Sequence, residues 1–265
     1  MLGIPYFLLS DSQRKMMADR ARCKAEEMME NAVPWDPAMK WQKELALIAK
    51  SYNDWLKQWF LFPDLQAQPR KNKTPIDGPH VLSPGGDIVY VHCRSPGKVR
   101  VQTYYGKQVG SVWFTGPVTM PVLLRKNYAD RFEFRDEFVW MSLTPMEVFT
   151  LRGGIRRAKG NVIVAGLGLG YQLMQVCRRK KVDSVTLVEI NQDLVDWLLP
   201  VIQKKLGPDA DKILKVEVGD AKDIVPKMKA DVALIDIDSG YGGNYFNHSC
   251  PGIGYVWVWG SQYAT

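Results

Sequence analysis

The segment Val162-Ile-Val-Ala-Gly166-Leu-Gly168-Leu-Gly170, running straight into Tyr171-Gln-Leu-Met-Gln-Val-Cys-Arg178, constrains this chain more than any other. Four apolar residues in a row read as a parallel strand buried on both faces. Three alternating glycines then read as a turn that opens a helix. Glycine has no Cβ and reaches positive φ, so a ligand can come close to such a backbone. A glycine turn alone says little; the strands after it decide what it means.

From Thr144-Pro145 onward the pattern alternates. A helix over Pro145 to about Arg157 leads into the glycine strand. Helix 171–181, strand Val185–Ile190, helix Gln192–Lys205, strand Lys215–Gly219, helix Ala221–Lys229 and strand Val232–Asp238 follow, and Gly254–Gly260 reads as one more strand. Strands alternating with helices mean βαβ units and a parallel, Rossmann-like α/β sheet. The strand after the turn ends in Glu189, about 20 residues on, the spacing at which a carboxylate accepts ribose hydroxyls. The next ends in Asp220, and the fourth in Asp236 and Asp238. Acids at the carboxyl ends of consecutive parallel strands face the crevice where open α/β sheets bind ligands. Three buried-strand patterns broken by an acid at the same end are costly unless the acids are used. A nicotinamide dinucleotide fits less well, because the glycines are spaced G-x-G-x-G rather than G-x-G-x-x-G, and Gly219-Asp220-Ala221 suits an exocyclic adenine amine with the following N–H donating to a ring nitrogen.

The set Gly166-Leu-Gly-Leu-Gly170, Val188-Glu189, Gly219-Asp220-Ala221 and Ala230-Asp-Val-Ala-Leu-Ile-Asp236 resembles class I S-adenosylmethionine-dependent methyltransferases, and within them the spermidine-synthase-like group. The resemblance covers roughly residues 132–240, with Asp136-Glu-Phe and Glu147 preceding the turn as the substrate-side segment does in aminopropyltransferases. It implies S-adenosyl-L-methionine as cofactor. Gly166, Leu167, Gly168 and Gly170 would pass under its methionine part, Glu189 would hold the ribose, Ile190 and Leu169 would flank the adenosine, and Asp220 and Ala221 would read the adenine. Asp236 falls where aminopropyltransferases keep the acid that assists amine deprotonation, and Asp238 stands beside it as a second catalytic candidate. The chain departs from the polyamine enzymes at Leu169, where they carry an acid, and at Ser239, where they carry a second one. The Asp-Pro-Pro-aromatic type of signature of amino-methylating nucleic-acid enzymes is replaced by Asp238-Ser-Gly-Tyr-Gly-Gly-Asn244, a lid over the acceptor or a flexible connection. The family's closing antiparallel hairpin is not expected, which makes this a shortened version of the fold. Its last Val- and Trp-rich strand would then be open to pairing with another chain.

Residues 1–87 read as a helical region and linker. Leu2–Leu9 is a packing arm without a basic n-region, 11–31 is a helix, and a second helix runs from about Pro37 to Phe62. The apolar stripe Trp41, Leu45, Ile48, Tyr52, Trp55 and Trp59 lies on one face of that helix, as an oligomer seam or as a helix packed on its own domain. A Pro/Gly/Lys/Asn-rich stretch leads to residues 88–143, a small antiparallel β region with strands at 88–93, 98–105, 108–114, 118–125 and 131–141. The Rossmann-like domain is 144–265.

The 265 residues carry a formal charge of +7, which permits an acidic partner such as nucleic acid. The basic groups cluster at 70–73, 152–159 and 178–181, where loop and helix-end charge is the plainer reading. Cys23, Cys93, Cys177 and Cys250 are far apart and form no C-x-x-C pair, so neither a metal site nor a disulfide framework is expected and a reducing cytoplasm is the natural location. No apolar stretch approaches the ~20 residues that span a bilayer. The expected activity is methyl transfer to a small-molecule acceptor. Aminopropyl transfer to a polyamine and a non-catalytic Rossmann scaffold, self-associating through the aromatic helix or the last strand, are the alternatives.

Overall fold

The computed structural model describes residues 12, 16, 26–40, 42, 44–69, 76–95, 100–105, 108–126, 139–237 and 246–260. The packing arm at 2–9 and most of helix 11–31 lie outside these residues; within it, 26–30 are helical.

The carboxyl-terminal half is a five-stranded sheet, all parallel, in the order β11-β10-β9-β12-β13, formed by β9 (Gly160–Ala165), β10 (Val182–Glu189), β11 (Ile213–Val218), β12 (Ala230–Ile235) and β13 (Ile253–Val258). This is the Rossmann-like α/β arrangement that the alternation predicts. The β9 run Val162–Ala165 is buried throughout and sits at the centre of the sheet. From β9 the chain winds outward through β10 to β11, then returns to the other side of β9 for β12 and β13. The direction of winding therefore reverses between β9 and β12, and the carboxyl ends of those two strands flank the topological switch point.

Helix α2 (Pro145–Arg157) opens on a capping box. The Thr144 hydroxyl accepts from the Glu147 N–H, and the Glu147 carboxylate accepts from the Thr144 N–H. Helix α3 (Tyr171–Cys177) is shorter than the expected 171–181. Lys212 Nζ donates to the Cys177 and Arg179 carbonyls at 2.6 and 3.0 Å and closes it early. Helix α4 (Gln192–Leu206) starts on Asn191, whose side chain accepts from Leu194 N–H. Helix α5 (Ala221–Ile224) gives way to a 3-10 turn at Pro226, which cannot donate to the preceding carbonyls. The last strand buries Trp257 and Trp259 against α2, and a Cβ on Gly154 would stand 2.5 Å from the Trp257 ring.

The amino-terminal half departs most from expectation between residues 37 and 62. The anticipated long helix over 37–62 is strand β1 (Glu44–Leu47) followed by a short helix α1 (Ala49–Leu56) and a 3-10 turn through Trp59. β1 pairs in parallel with β6 (Gln108–Phe114), setting Leu45 beside Val112 and Leu47 beside Phe114. Leu45, Ala46 and Leu47 are all buried, so consecutive residues rather than one helical face carry the burial. The helical spacing holds only for Tyr52, Trp55 and Trp59. Those rings meet Trp35, Phe114 and Tyr171 of the same chain at centroid distances of 4.8–6.3 Å. The stripe is thus built into the chain's own core; Trp41 lies outside the described residues.

The antiparallel strands appear largely where expected. β5 (Arg100–Tyr105) pairs with β6, and β4 (Ile88–Ser95) pairs with β7 (Val118–Arg125), which pairs with β8 (Val139–Ser142). Short strands β2 (Gln68–Pro69) and β3 (Val81–Leu82) flank β4. The two halves share one continuous core. Tyr52 Oη donates to the Leu143 carbonyl at 3.0 Å, Arg152 donates to the Met39 carbonyl at 2.6 Å, and Gly85 N–H donates to Asp193 Oδ1 at 2.7 Å. The result for the site is that β8, carrying Trp140 and Met141, lies across the switch point.

Candidate functional site

Two adjoining cavities open at the switch point and share Trp140, Met141, Gly166 and Asp236 as their common wall. One lobe is bounded by Val188, Glu189, Ile190, Gly219, Asp220 and Ala221 among others. The other is bounded by Ser142, Glu147, Leu169, Tyr171, Gln172 and Trp259 among others.

Glu189 sits at the end of β10, where it is 4% exposed. Its Oε2 accepts from Leu167 N–H at 2.7 Å and its Oε1 from Asn191 N–H at 2.9 Å. The carboxylate thus ties the glycine turn to the β10–α4 connection. A carboxylate has about four lone-pair sites, so two remain for hydroxyl donors from the first lobe. Ile190, next in sequence, is 62% exposed and forms part of the same wall. An aliphatic side chain held open at a ligand lobe is a ready face for a planar ring.

Asp220 is the N-cap of α5; its Oδ1 accepts from Lys222 N–H at 2.9 Å. Ala221 is the first residue of that helix, so its N–H has no partner within the helix. A carboxylate and a free N–H one residue apart form a donor–acceptor pair at the rim of the first lobe.

The three turn glycines all have positive φ, but they serve different ends. A Cβ on Gly166 would run into the Asp236 carbonyl oxygen, so this glycine lets β9 and β12 close at the switch point. A Cβ on Gly168 would stand 2.6 Å from Met141 Sδ, within the second lobe. A Cβ on Gly170 would meet Ile202 of α4, and Gly170 borders neither cavity. Glycine at 170 therefore serves the packing of the turn against α4. Leu169, expected beside the adenosine, instead borders only the second lobe and is buried.

Asp236 borders both lobes, and its N–H donates to the Ala165 carbonyl at 2.8 Å, continuing the β9–β12 ladder past the strand end. Asp238 and the glycine-rich loop after it lie outside the described residues. Among the described residues no cluster of His, Cys, Asp and Glu could hold a metal ion, and no helix is long and apolar enough to cross a membrane.

Several basic residues of the 152–159 and 178–181 clusters work at helix ends. Arg179 donates to the Ala158 and Arg156 carbonyls at the end of α2, and Arg157 donates to Gly153 O. Arg178 lies over the Trp59 ring at 4.9 Å. The 70–73 cluster lies outside the described residues.

No family model matches the chain. A polyamine aminopropyltransferase of Buchnera aphidicola subsp. Schizaphis graminum is 31% identical over 107 residues, 40% of this chain and 36% of that protein. Its counterpart from Buchnera aphidicola subsp. Acyrthosiphon pisum is 29% identical over 122 residues, 42% of this chain and 40% of that protein. The matched part of the chain thus spans well under half the length of these curated relatives. Among solved structures, Trm5b from Pyrococcus abyssi has a TM-score of 0.35 at 14% identity, covering 62% of this chain and 47% of that one. The Thermococcus litoralis Delta(1)-pyrroline-2-carboxylate reductase, in complex with NADH and L-proline, has 0.27 at 14%, covering 73% and 61%. MNMC2 from Aquifex aeolicus has 0.26 at 16%, covering 54% and 50%.

The second lobe holds groups that strand-end reasoning passes over. Glu147 is half-buried, and its Oε2 accepts from Thr144 N–H at 2.6 Å, from the Thr144 hydroxyl at 3.0 Å and from the Ser142 hydroxyl at 3.5 Å. Removal from water pushes its carboxyl up to about 7, against the pull of the Thr144 and Ser142 hydrogen bonds. In sequence Thr144-Pro-Met-Glu147 is a helix-start signature, so the cap hides the second use of the carboxylate. Trp140, Tyr171, Gln172 and Trp259 border the same lobe.

The raised Glu147 carboxyl has a measurable consequence. Between about pH 4.5 and 7 the folded chain holds a proton that the unfolded chain has lost, so stability falls as pH rises through that window. Glu147→Gln keeps a capping amide and has no charge to desolvate. In urea unfolding it should gain on wild type by up to about 3 kcal/mol between pH 5 and pH 8. A difference that does not change with pH would show that Glu147 is not held out of water.

Proposed function

We propose that the cleft binds S-adenosylmethionine and that the chain catalyses methyl transfer to a small acceptor in the second lobe. The observation that carries this reading is Glu189: a buried strand-end carboxylate tied to the glycine turn, with two lone-pair sites left toward a lobe that also offers Ile190, Asp220 and the Ala221 N–H. These groups fit an adenosine. Glu189 would hold the ribose hydroxyls, Asp220 the exocyclic amine and the Ala221 N–H a ring nitrogen, with Ile190 against the ring face. The positive-φ turn at Gly166 and Gly168 leaves backbone rather than side chain where the two lobes meet.

When bound, the cofactor supplies an activated methyl group on a sulfonium. The chain's own task is to hold the acceptor in line with it and to receive a proton. Asp236 stands between the lobes, and Glu147 borders the acceptor lobe. A carboxyl that titrates near 7 suits a base at neutral pH. Activity should therefore rise as pH passes through about 7 in wild type and lose that dependence in Glu147→Gln.

The test is calorimetric titration with S-adenosylmethionine and with S-adenosylhomocysteine. Both should bind wild type, and Asp220→Ala should weaken both by roughly tenfold, the loss of one charge-assisted hydrogen bond. No binding by wild type, or unchanged binding in the variant, would sink the reading.

Sequence similarity to polyamine aminopropyltransferases supports a second reading, transfer of an aminopropyl group. It requires the decarboxylated cofactor to bind better than the intact one and putrescine to serve as acceptor. The buried Leu169 in the wall of the acceptor lobe, where the polyamine enzymes carry an acid, weighs against it.

A further inference from the structure

Gln172 is 5% exposed, on the first turn of α3, and borders the second lobe. Neither its Oε1 nor its Nε2 has a hydrogen-bond partner. Leaving both ends of a buried amide unpaired is costly, and native structures rarely do so without a reason.

A group with a donor and an acceptor side by side satisfies both atoms of an amide at once. A protonated amine supplies donors alone and would leave Nε2 unpaired. A carboxylate or phosphate supplies acceptors alone, and among the described residues bordering the lobe there is no Lys, Arg or His to balance its charge. The edge of a neutral nitrogen heterocycle supplies both, as when glutamine pairs with the adjacent amino group and ring nitrogen of adenine. Trp140, Tyr171 and Trp259 also border the lobe, an aromatic lining of the kind that takes planar rings.

Resting on the reading of the cleft as a transferase site, we propose that the second lobe takes a neutral, planar nitrogen heterocycle of the nucleobase kind, gripped at one edge by the Gln172 amide. The uncharged amide sets the preference for such a ring over an aliphatic amine. Whichever way round the amide is placed, the required complement is the same.

The full chain, saturated with S-adenosylhomocysteine so that no nucleoside can enter the adenosine lobe, is titrated by calorimetry with cytidine, guanosine, a short single-stranded RNA and putrescine. At least one heterocyclic probe should bind more tightly than putrescine, and a free nucleoside matching the RNA would identify a small-molecule acceptor rather than a nucleic acid. Gln172→Leu should weaken that probe by roughly tenfold or more while leaving S-adenosylhomocysteine affinity within about twofold. Gln172→Glu, which keeps the shape and loses the donor, should weaken it as well and guards against a folding defect in the first variant. The inference is overturned if putrescine binds best, if no heterocyclic probe binds, or if both variants keep wild-type affinity. Failure of S-adenosylhomocysteine itself to bind would instead remove the transferase reading, so the two failures are told apart.

Discussion

If the cleft takes S-adenosylmethionine as proposed, Glu189→Ala should weaken cofactor binding about a hundredfold or more and lower stability together. The carboxylate accepts from Leu167 N–H at 2.7 Å and from Asn191 N–H at 2.9 Å, and the substitution leaves both donors without a partner beneath the cleft. Each orphaned donor costs about 1–3 kcal/mol, so unfolding free energy should fall by roughly 2–6 kcal/mol. For a chain of this size that corresponds to a drop in melting temperature of about 4–24 °C. Cofactor affinity should fall by about a hundredfold or more, because the ribose loses a charged acceptor and the turn loses its anchor. Calorimetry and thermal unfolding on the same preparation separate the two effects. A fall in stability with cofactor affinity intact would mean that the carboxylate only braces the turn. Glu189→Gln sharpens the comparison: its amide sets one N–H group against a backbone N–H, so it should not restore wild type on either measure.

Gly166→Ala should be the most damaging single-methyl change in the sheet. The new Cβ would overlap the Asp236 carbonyl oxygen and come within 2.9 Å of its carbon, and φ is +95°. Backbone meets backbone there, so no rotamer change relieves the contact, and β9 and β12 must separate at the switch point. The expected loss is about 3–5 kcal/mol, from overpacking added to left-handed strain. Gly168→Ala is the control. Its φ is +52°, and its Cβ would meet Met141 Sδ, the end of a flexible side chain. It should cost about 1–2 kcal/mol. Urea unfolding of the two variants gives the order directly. Equal losses would show that close approach of the strands at Gly166 is not what demands glycine.

Both predictions concern residues that a reader of the sequence singles out, yet for reasons the sequence only half contains. The positions of Glu189, Asp220 and Asp236 at strand ends follow from the alternation of apolar runs with helical segments, because a parallel strand buried on both faces stops where an acid appears. That places them on one edge of the sheet without any knowledge of the strand order. Which glycine serves which purpose was not legible. Gly166, Gly168 and Gly170 look equivalent in a string, and only Asp236, Met141 and Ile202, all distant in sequence, distinguish them.

The aromatic stripe at 41–59 failed as one helix for a related reason. Leu45 and Ile48 happen to fall at helical spacing, but Leu45, Ala46 and Leu47 are all buried because β6 lies alongside, and pairing with a strand some 65 residues away leaves no local mark. Tertiary context overrode a periodic pattern of only modest length.

The sequence by itself determined the parallel α/β domain, the edge of the sheet where the acids gather and the glycine turn that opens the crevice, since all three arise from local spacing within single βαβ units. Tertiary structure alone decided that β8 lies across that crevice, dividing it into two lobes, and that Glu147 and Gln172 line the second. Glu147 was placed on the substrate side only through the family resemblance, since locally it reads as a helix cap, and the missing partner of Gln172 exists only once the cavity does.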